Sequence, residues 1–157
     1  MVPESDIGES VKEAIEALKQ GEVVCVYDAD GREEETDLTI ASEFATKEKV
    51  RQLRKDGGGL VCTTMTPAIA DRFGVPFLVD IYAKAIDDYP ILSAMVPDDI
   101  PYDAKSSFAV TVNARDTFTG ITDIDRANTI STFAKVISET KGWDQASAIE
   151  KFGAVFR

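Results

Sequence analysis

Histidine is absent from this chain of 157 residues, and cysteine and tryptophan are scarce, with two and one residues respectively. Cys25 and Cys62 each stand in an apolar stretch and share no CxxC spacing. This arrangement favours free, reduced thiols over a disulfide or a cysteine-based zinc site. We expect Cys25 to be a core residue.

Basic residues are also few, because 17 lysines and arginines face 28 acidic residues and the formal charge is −11. Proteins that bind nucleic acid or anionic membranes need a basic face, so neither is expected as a partner. The apolar runs are far shorter than the roughly 20 residues that span a bilayer. The N-terminus, "MVPESDIGES", lacks the basic start and apolar middle of a signal peptide. We expect a cytoplasmic protein with a small ligand.

The chain is expected to form one domain over residues 1–157. Its apolar content of 44% is sufficient for a core that buries roughly 70% of the unfolded surface. No repeat, low-complexity segment or linker divides it. Helical and strand patterns alternate without a strict βαβ rhythm, which predicts an α+β (mixed α/β) fold with a mixed sheet.

Apolar periodicity and turn residues predict the individual elements. Helices are expected over residues 11–20, with Ser10 as N-cap and Gly21 past the end, after Thr46, from Pro67 to Gly74, and after Thr122. The last of these carries an apolar stripe of Ala127, Ile130, Phe133, Ala134 and Ile137. Strands are expected over residues 22–27, 37–44, 60–64 and 107–113.

An acidic segment, "DADGREEETD" at residues 28–37, places six carboxylates and one arginine between the first two predicted strands. If it stays extended, Glu33, Glu35 and Asp37 project from one face. Carboxylates spaced in this way repel by roughly 0.6 kcal/mol in bulk water and by about 2.4 kcal/mol at an effective dielectric constant of 20. A solvated acidic interaction surface tolerates that repulsion, so the pattern alone does not require a catalytic site.

The same segment is rich in the carboxylate oxygens that divalent cations bind. Asp28, Asp30 and Gly31 imitate three positions of an EF-hand calcium loop, but the final position is Asp37 rather than glutamate. The preceding segment is also a predicted strand, whereas the EF-hand requires a helix. Mg²⁺ fits better, because it takes one or two protein carboxylates and completes its octahedron with water and substrate oxygens. Arg32 would then face an anionic ligand.

Three segments together resemble a known enzyme family. They are "VYDADGREEETDLTIASEF" at 26–44, "RKDGGGLVCTT" at 54–64 and "PYDAKSSFAVTVNARDTFTGITDIDRANTI" at 101–130. In this order they resemble 3,4-dihydroxy-2-butanone-4-phosphate synthase of riboflavin biosynthesis, in its archaeal form. The resemblance implies an α+β domain with a mixed sheet packed between helices. It also implies a homodimeric lyase, dependent on Mg²⁺ or Mn²⁺, that converts D-ribulose 5-phosphate to 3,4-dihydroxy-2-butanone 4-phosphate and formate.

The resemblance implies roles for three residues of the acidic segment. Arg32 contacts substrate, Glu33 binds the metal and lies against the substrate, and Glu35 transfers a proton. These residue types suit a reaction that begins by enolising a ketose. A carboxylate must remove a carbon-bound proton while a divalent cation stabilises the oxygens that gain charge.

Further pocket residues follow from the same resemblance. Asp28 and Asp37 contact the sugar, and Asp37 is grouped with Glu35 as catalytic. Cys62 and Thr119 line the pocket, although a small thiol after an apolar stretch more often serves in core packing. Asp123 and Asp125 are interpreted as structural, since acids at a helix start interact favourably with the helix dipole.

The chain departs from the family pattern in two respects. Glu34 stands where family members usually carry glycine or asparagine. The family's Pro-Gly-His and Gly-His-Thr-Glu motifs, which supply a catalytic group and the second metal ligand, would follow the position of Arg157. We therefore expect the sequence to be an incomplete record of a longer enzyme. The alternatives are a non-catalytic phosphosugar- or nucleotide-binding module of related fold, and a plain acidic interaction domain.

Overall fold

The computed structural model describes residues 8–97 and 99–157. In this part of the chain the regular elements are α1 (Glu9–Lys19), β1 (Val24–Tyr27), β2 (Thr36–Thr39), α2 (Lys47–Gln52), α3 (Pro67–Phe73), α4 (Leu78–Ala85), α5 (Asp123–Glu139) and α6 (Gln145–Val155). Single 3-10 segments cover Ser42–Phe44 and Pro90–Met95, and a π-helical turn covers Leu53–Gly57. The α+β class is confirmed. None of these helices combines the length and apolar character needed to cross a membrane.

Local capping chemistry places the starts of α2 and α5 and both ends of α3 where the sequence predicted them. The Thr46 side chain accepts a hydrogen bond from the Lys49 N–H at the start of α2, and Thr122 caps α5 in the same way. Helix α3 begins at Pro67, and Gly74 is its C-cap, with a φ of 62° in the left-handed region that favours glycine.

The N-cap predicted for the first helix was wrong. Helix α1 begins at Glu9, with Gly8 as its N-cap and Ser10 already inside the first turn. The reason is visible in the backbone, because the N–H groups of Val11 and Lys12 both donate to the Gly8 carbonyl. Gly21 does follow the helix end, with a φ of 77°.

The sheet is smaller than the expected mixed sheet. Strands β1 and β2 pair antiparallel, from Val24 opposite Thr39 to Tyr27 opposite Thr36. The predicted strands at 60–64 and 107–113 do not form. Within the described residues, the second segment makes only a single-residue bridge from Ala109 to Phe77, and Ala114 just beyond it bridges to Phe156. Side-chain alternation reports which face is buried, whereas a strand also requires a neighbouring backbone along its length.

Helix α5 organises the core. Its buried residues Phe133 and Val136 belong to one hydrophobic cluster. This cluster also contains Phe73 of α3 and Phe156, which follows α6. Ala127 and Ile130 form a second cluster with the fully buried Val50 of α2. The predicted apolar stripe of α5 is thus confirmed as its packing face, with Ala134 and Ile137 half-buried.

Cys25 is not a core residue, which corrects the expectation. Both cysteines are free and exposed. Cys25 lies in β1 opposite Leu38. Because a two-stranded sheet gives little cover, a residue can belong to a strand and still face solvent.

Replacement of Thr129 by valine is expected to destabilise the fold. The Ala114 N–H, in a fully buried residue, donates to the Thr129 hydroxyl oxygen at 3.1 Å. Valine has nearly the same shape but no acceptor, so the buried N–H loses its partner at a cost of about 1–3 kcal/mol. The free energy of unfolding in urea measures this.

Thr132→Val is the matched control on the same helix. The Thr132 hydroxyl donates only a long 3.4 Å hydrogen bond to the half-buried Asn128 side chain. Its loss is expected to change the free energy of unfolding by less than about 0.5 kcal/mol. Equal effects of the two substitutions would contradict the role assigned to the Thr129 hydroxyl.

Candidate active site

Residues 28–37, called here the acidic loop, run from the end of β1 into the first two residues of β2. Residues 28–35 form a folded turn rather than an extended segment. The Asp28 N–H donates to the Glu35 carbonyl at 2.9 Å and closes the base of the loop. Gly31 has a φ of 80° and Glu34 a φ of 56°, and the Gly31 N–H donates to Glu34 Oε1 at 2.9 Å. The carboxylates therefore do not alternate across two faces as they would in a strand.

Glu34 has a backbone conformation that is uncommon for glutamate. A φ of 56° lies in the left-handed region, which glycine and asparagine adopt more readily than glutamate. The hydrogen bond from the Gly31 N–H to the Glu34 carboxylate offsets part of that strain. The Glu34 carboxylate is thus part of the turn.

Asp28 holds the acidic loop together. Its Oδ2 accepts hydrogen bonds from the Glu33 N–H at 2.8 Å and from Arg32 Nη1 at 3.0 Å. The Glu33 N–H, followed by the Ala29 N–H and the Arg32 guanidinium, lowers the pKa of this carboxyl group. Asp28, Arg32 and Glu33 are therefore brought together by contacts within six residues of chain.

A second segment of the chain reaches the loop at Arg32. Arg32 Nη2 donates to Asp103 Oδ2 at 2.8 Å, and its guanidinium carbon lies 5.4 Å from the centre of the Tyr102 ring. The carboxylates of Asp28 and Asp103 raise the pKa of Arg32. The sequence did not reveal Asp103, because 71 residues separate it from its partner Arg32.

Glu33 is the carboxylate that the resemblance predicts as a metal ligand. Its side chain is one-third exposed, and Oε2 lies 3.4 Å from Arg32 Nη1. Its negative charge raises the pKa of the Tyr102 phenol. Within the part of the chain that the structure describes, no group of three or more acidic or cysteine side chains converges as a metal site. One hard oxygen donor fits Mg²⁺ or Mn²⁺, which complete their shells with water and substrate, better than it fits zinc.

Glu35 and Asp37 occupy the return side of the loop. Both residues are exposed, and Asp37 already belongs to β2, where it pairs with Val26. Their side chains are accessible to a ligand above the sheet end. The Glu35 carbonyl accepts a hydrogen bond from the Asp28 N–H. This hydrogen bond fixes the backbone of Glu35 at the base of the loop.

Cys62 and Thr119 lie outside the acidic loop. Cys62 lines a cleft of about 420 Å³, together with Gly120 and Arg126, and no residue of the acidic loop lines it. The Thr119 hydroxyl donates to Asp125 Oδ2 at 3.2 Å. The structure thus brings together Asp28, Arg32 and Glu33 of the acidic loop, whereas Cys62 lines a cleft to which that loop does not contribute.

The carboxylates at the start of α5 make structural contacts, in agreement with the prediction. Asp123 accepts two hydrogen bonds of 3.0 Å from the Arg54 side chain. Asp125 Oδ2 accepts the backbone N–H groups of Thr119 at 3.0 Å and Gly120 at 2.9 Å. Asp125 therefore sets the conformation of the segment that carries Thr119.

Acid is expected to destabilise the protein in a pH range set by aspartates whose pKa lies below its ordinary value. A carboxyl group with a lowered pKa in the folded state contributes stability fully above its unfolded pKa of about 3.9, and that contribution is lost as the pH falls through the folded value. The main donors responsible are the Glu33 N–H for Asp28, the Arg54 side chain for Asp123 and the Ser147 N–H for Asp144.

Urea midpoints between about pH 6 and pH 3 test this expectation. The midpoint is expected to be constant at the upper end of the range and to fall below about pH 4. Asp144→Asn, which keeps an acceptor oxygen at the N-cap of α6, is expected to show a shallower fall. A midpoint that does not change on acidification would contradict the linkage.

The sequence of this chain is similar to that of known proteins over most of its length. The family model for 3,4-dihydroxy-2-butanone 4-phosphate synthase matches residues 12–156. The synthase of Methanothermobacter thermautotrophicus is 44% identical over 147 residues, which cover 94% of this chain and 61% of that protein. The Archaeoglobus fulgidus synthase is 43% identical over 129 residues, covering 82% of this chain and 54% of that protein. The chain thus spans little more than half the length of these relatives.

Solved structures agree with the sequence match. A structure of 3,4-dihydroxy-2-butanone 4-phosphate synthase in complex with two magnesium ions is 28% identical, with a TM-score of 0.59, and the match covers 79% of this chain and 50% of that one. A two-domain synthase from A. baumannii is 25% identical, with a TM-score of 0.57, over 76% of this chain and 30% of that one. The chain belongs to the 3,4-dihydroxy-2-butanone 4-phosphate synthase family.

Proposed function

We propose that the protein containing this chain is a lyase of riboflavin biosynthesis that converts D-ribulose 5-phosphate to 3,4-dihydroxy-2-butanone 4-phosphate and formate. The observation that carries the proposal is the family match over residues 12–156, which includes the whole acidic loop. The geometry of this loop supports it, because exposed carboxylates and an oriented arginine suit an anionic polyol substrate.

Glu35 is the proposed general base. Its carboxylate is exposed at the return side of the acidic loop, where it can remove the carbon-bound proton of a ketose held above the sheet end. Asp37 follows two residues later and is assigned to the sugar hydroxyl groups, with a share in proton transfer. Glu33 is assigned to the metal. Bound Mg²⁺, or Mn²⁺, would supply positive charge that stabilises the electron-rich oxygens of the substrate.

Arg32 and Asp28 are assigned to substrate contact within the same loop. Arg32 carries five N–H donors, and the two ion pairs to Asp28 and Asp103 use one at each Nη. The remaining donors suit phosphate or hydroxyl oxygens of the substrate. Asp28 fixes this arginine and contributes a second carboxylate oxygen for the sugar.

Cys62 and Thr119 are assigned to the wall of the substrate pocket. The active protein is proposed to be a homodimer with its active sites near the subunit interface. The exposed apolar side chains next to Thr119 support such an interface. Phe118 is 93% exposed and Ile121 is 69% exposed, and single-chain proteins seldom leave neighbouring apolar groups so open. A cytoplasmic location and the absence of nucleic-acid and membrane partners stay predictions.

A formate-release assay tests the proposal. The longest protein encoded by the gene and the 157-residue chain are each incubated with ribulose 5-phosphate, with Mg²⁺, Mn²⁺ or a chelator. We expect the longest product to release formate with either metal and none with the chelator. Metal-dependent binding of ribulose 5-phosphate without formate would indicate a non-catalytic binding module of related fold. Absence of binding would favour an acidic interaction surface.

A further inference from the structure

We propose that Asp103 is a positioning residue that orients Arg32 towards the substrate. This inference rests on the proposed function for its link to catalysis. Its physical basis is a contact between two segments that lie 71 residues apart in the chain, in which Arg32 Nη2 donates to Asp103 Oδ2 at 2.8 Å.

The two carboxylates around Arg32 act on different nitrogens. Asp28 Oδ2 accepts from Nη1 at 3.0 Å, whereas Asp103 accepts from Nη2. Two fixed points on a planar guanidinium determine its plane and direction, whereas one would leave it free to turn. Asp28 alone therefore does not determine the orientation of the Arg32 guanidinium.

Tyr102 adds a third restraint from the same segment as Asp103. Its ring centre lies 5.4 Å from the guanidinium carbon of Arg32, within the range of a cation–π contact. The Arg32 side chain nevertheless remains 39% exposed. The arginine is thus held from two sides and still accessible to a ligand.

The contacts to Asp28 and Asp103 also limit how closely Arg32 pairs with the proposed metal ligand, Glu33. Glu33 Oε2 lies 3.4 Å from Arg32 Nη1, longer than the contacts to Asp28 and Asp103. Without Asp103, the guanidinium can turn towards Glu33 and pair with it more closely. That pairing would compete with a divalent cation for the Glu33 carboxylate.

Steady-state kinetics of formate release by the longest gene product test the inference. Asp103→Ala is expected to raise the KM for ribulose 5-phosphate about 5- to 10-fold and to leave kcat within about twofold, since the arginine contact is made in both ground and transition states. It is also expected to raise the Mg²⁺ concentration at half-maximal rate. Asp103→Asn, which keeps an acceptor oxygen, should show less than about a threefold rise in KM.

Asp80→Asn is the matched control. It removes the acidic partner of Lys105, which lies two residues after Asp103, in another exposed ion pair, where Lys105 Nζ lies 3.0 Å from Asp80 Oδ2. KM and kcat are expected to be unchanged. In an Arg32→Ala background, Asp103→Ala should add nothing to the loss. Additive effects, or an unchanged KM in Asp103→Ala, would overturn the inference.

NMR of ¹⁵N-arginine-labelled protein separates this inference from the proposed function. In the free protein, the two carboxylates are expected to slow the exchange of the Arg32 Nη–H protons with water. This exchange should be rapid in Asp103→Ala and unchanged in Asp80→Asn. Failure of the unsubstituted protein to release formate would overturn the proposed function alone. Unchanged Arg32 signals in Asp103→Ala would overturn the positioning role, whatever the activity.

Discussion

Glu35→Gln is expected to lower kcat for formate release at least about 100-fold and to leave the Kd for ribulose 5-phosphate within about threefold. Glutamine has nearly the same size as glutamate but cannot accept a carbon-bound proton at neutral pH. The side chain is exposed, so the substitution disturbs no packing. Formate release gives kcat, and calorimetry with ribulose 5-phosphate gives Kd.

The acidic loop provides its own control for this experiment. Glu34→Gln removes the same charge at the adjacent position and keeps an acceptor for the Gly31 N–H, which donates to Glu34 Oε1. Near-normal turnover is expected from it. If Glu35→Gln also turns over at a near-normal rate, another group is the base.

Glu33→Ala is expected to abolish the metal-dependent rate, with a loss of at least about 100-fold at any accessible Mg²⁺ concentration. The physical reason is the removal of the one carboxylate of the acidic loop that is assigned to the cation, whose other ligands are water and substrate. Formate release across a Mg²⁺ titration measures the effect. Calorimetric titration of Mg²⁺ in the presence of ribulose 5-phosphate reports the loss of binding directly.

Glu33→Asp separates loss of the carboxylate from damage to the loop. Aspartate keeps an oxygen donor on a shorter side chain, so partial activity should return at higher Mg²⁺. In Glu33→Ala the pKa of Tyr102 is expected to fall towards its ordinary value, because the Glu33 charge is the main cause of its rise. Metal-dependent activity of Glu33→Ala close to that of the unsubstituted protein would refute the assignment.

Helix ends were predictable where a short stretch of chain contains all the groups involved. The caps at Thr46 and Thr122 join a side chain to an N–H three residues later, and Gly74 ends α3 by its own φ. Helices α4 and α6 were not predicted. Asp144 caps α6 through Ser147, a signal that was present in the sequence and could have been used.

Strands were predicted less well than helices, because a strand depends on a distant partner. Residues 22–27 and 37–44 adjoin a tight loop, and the chain itself brings their strands together as β1 and β2. Residues 60–64 and 107–113 also have the composition of strands but find no continuous partner among the described residues. For the same reason Cys25 lies in a strand and is exposed.

The sequence by itself determined the family and the local chemistry of the acidic loop, since Asp28, Arg32 and Glu33 are close along the chain and their hydrogen bonds need no other element. Only the tertiary structure decided that Asp103 completes the hold on Arg32, and that Cys62 lines a separate cleft. Contacts within a few residues follow from turn geometry and side-chain reach. Contacts across 71 residues depend on how the whole core packs, which no local pattern encodes.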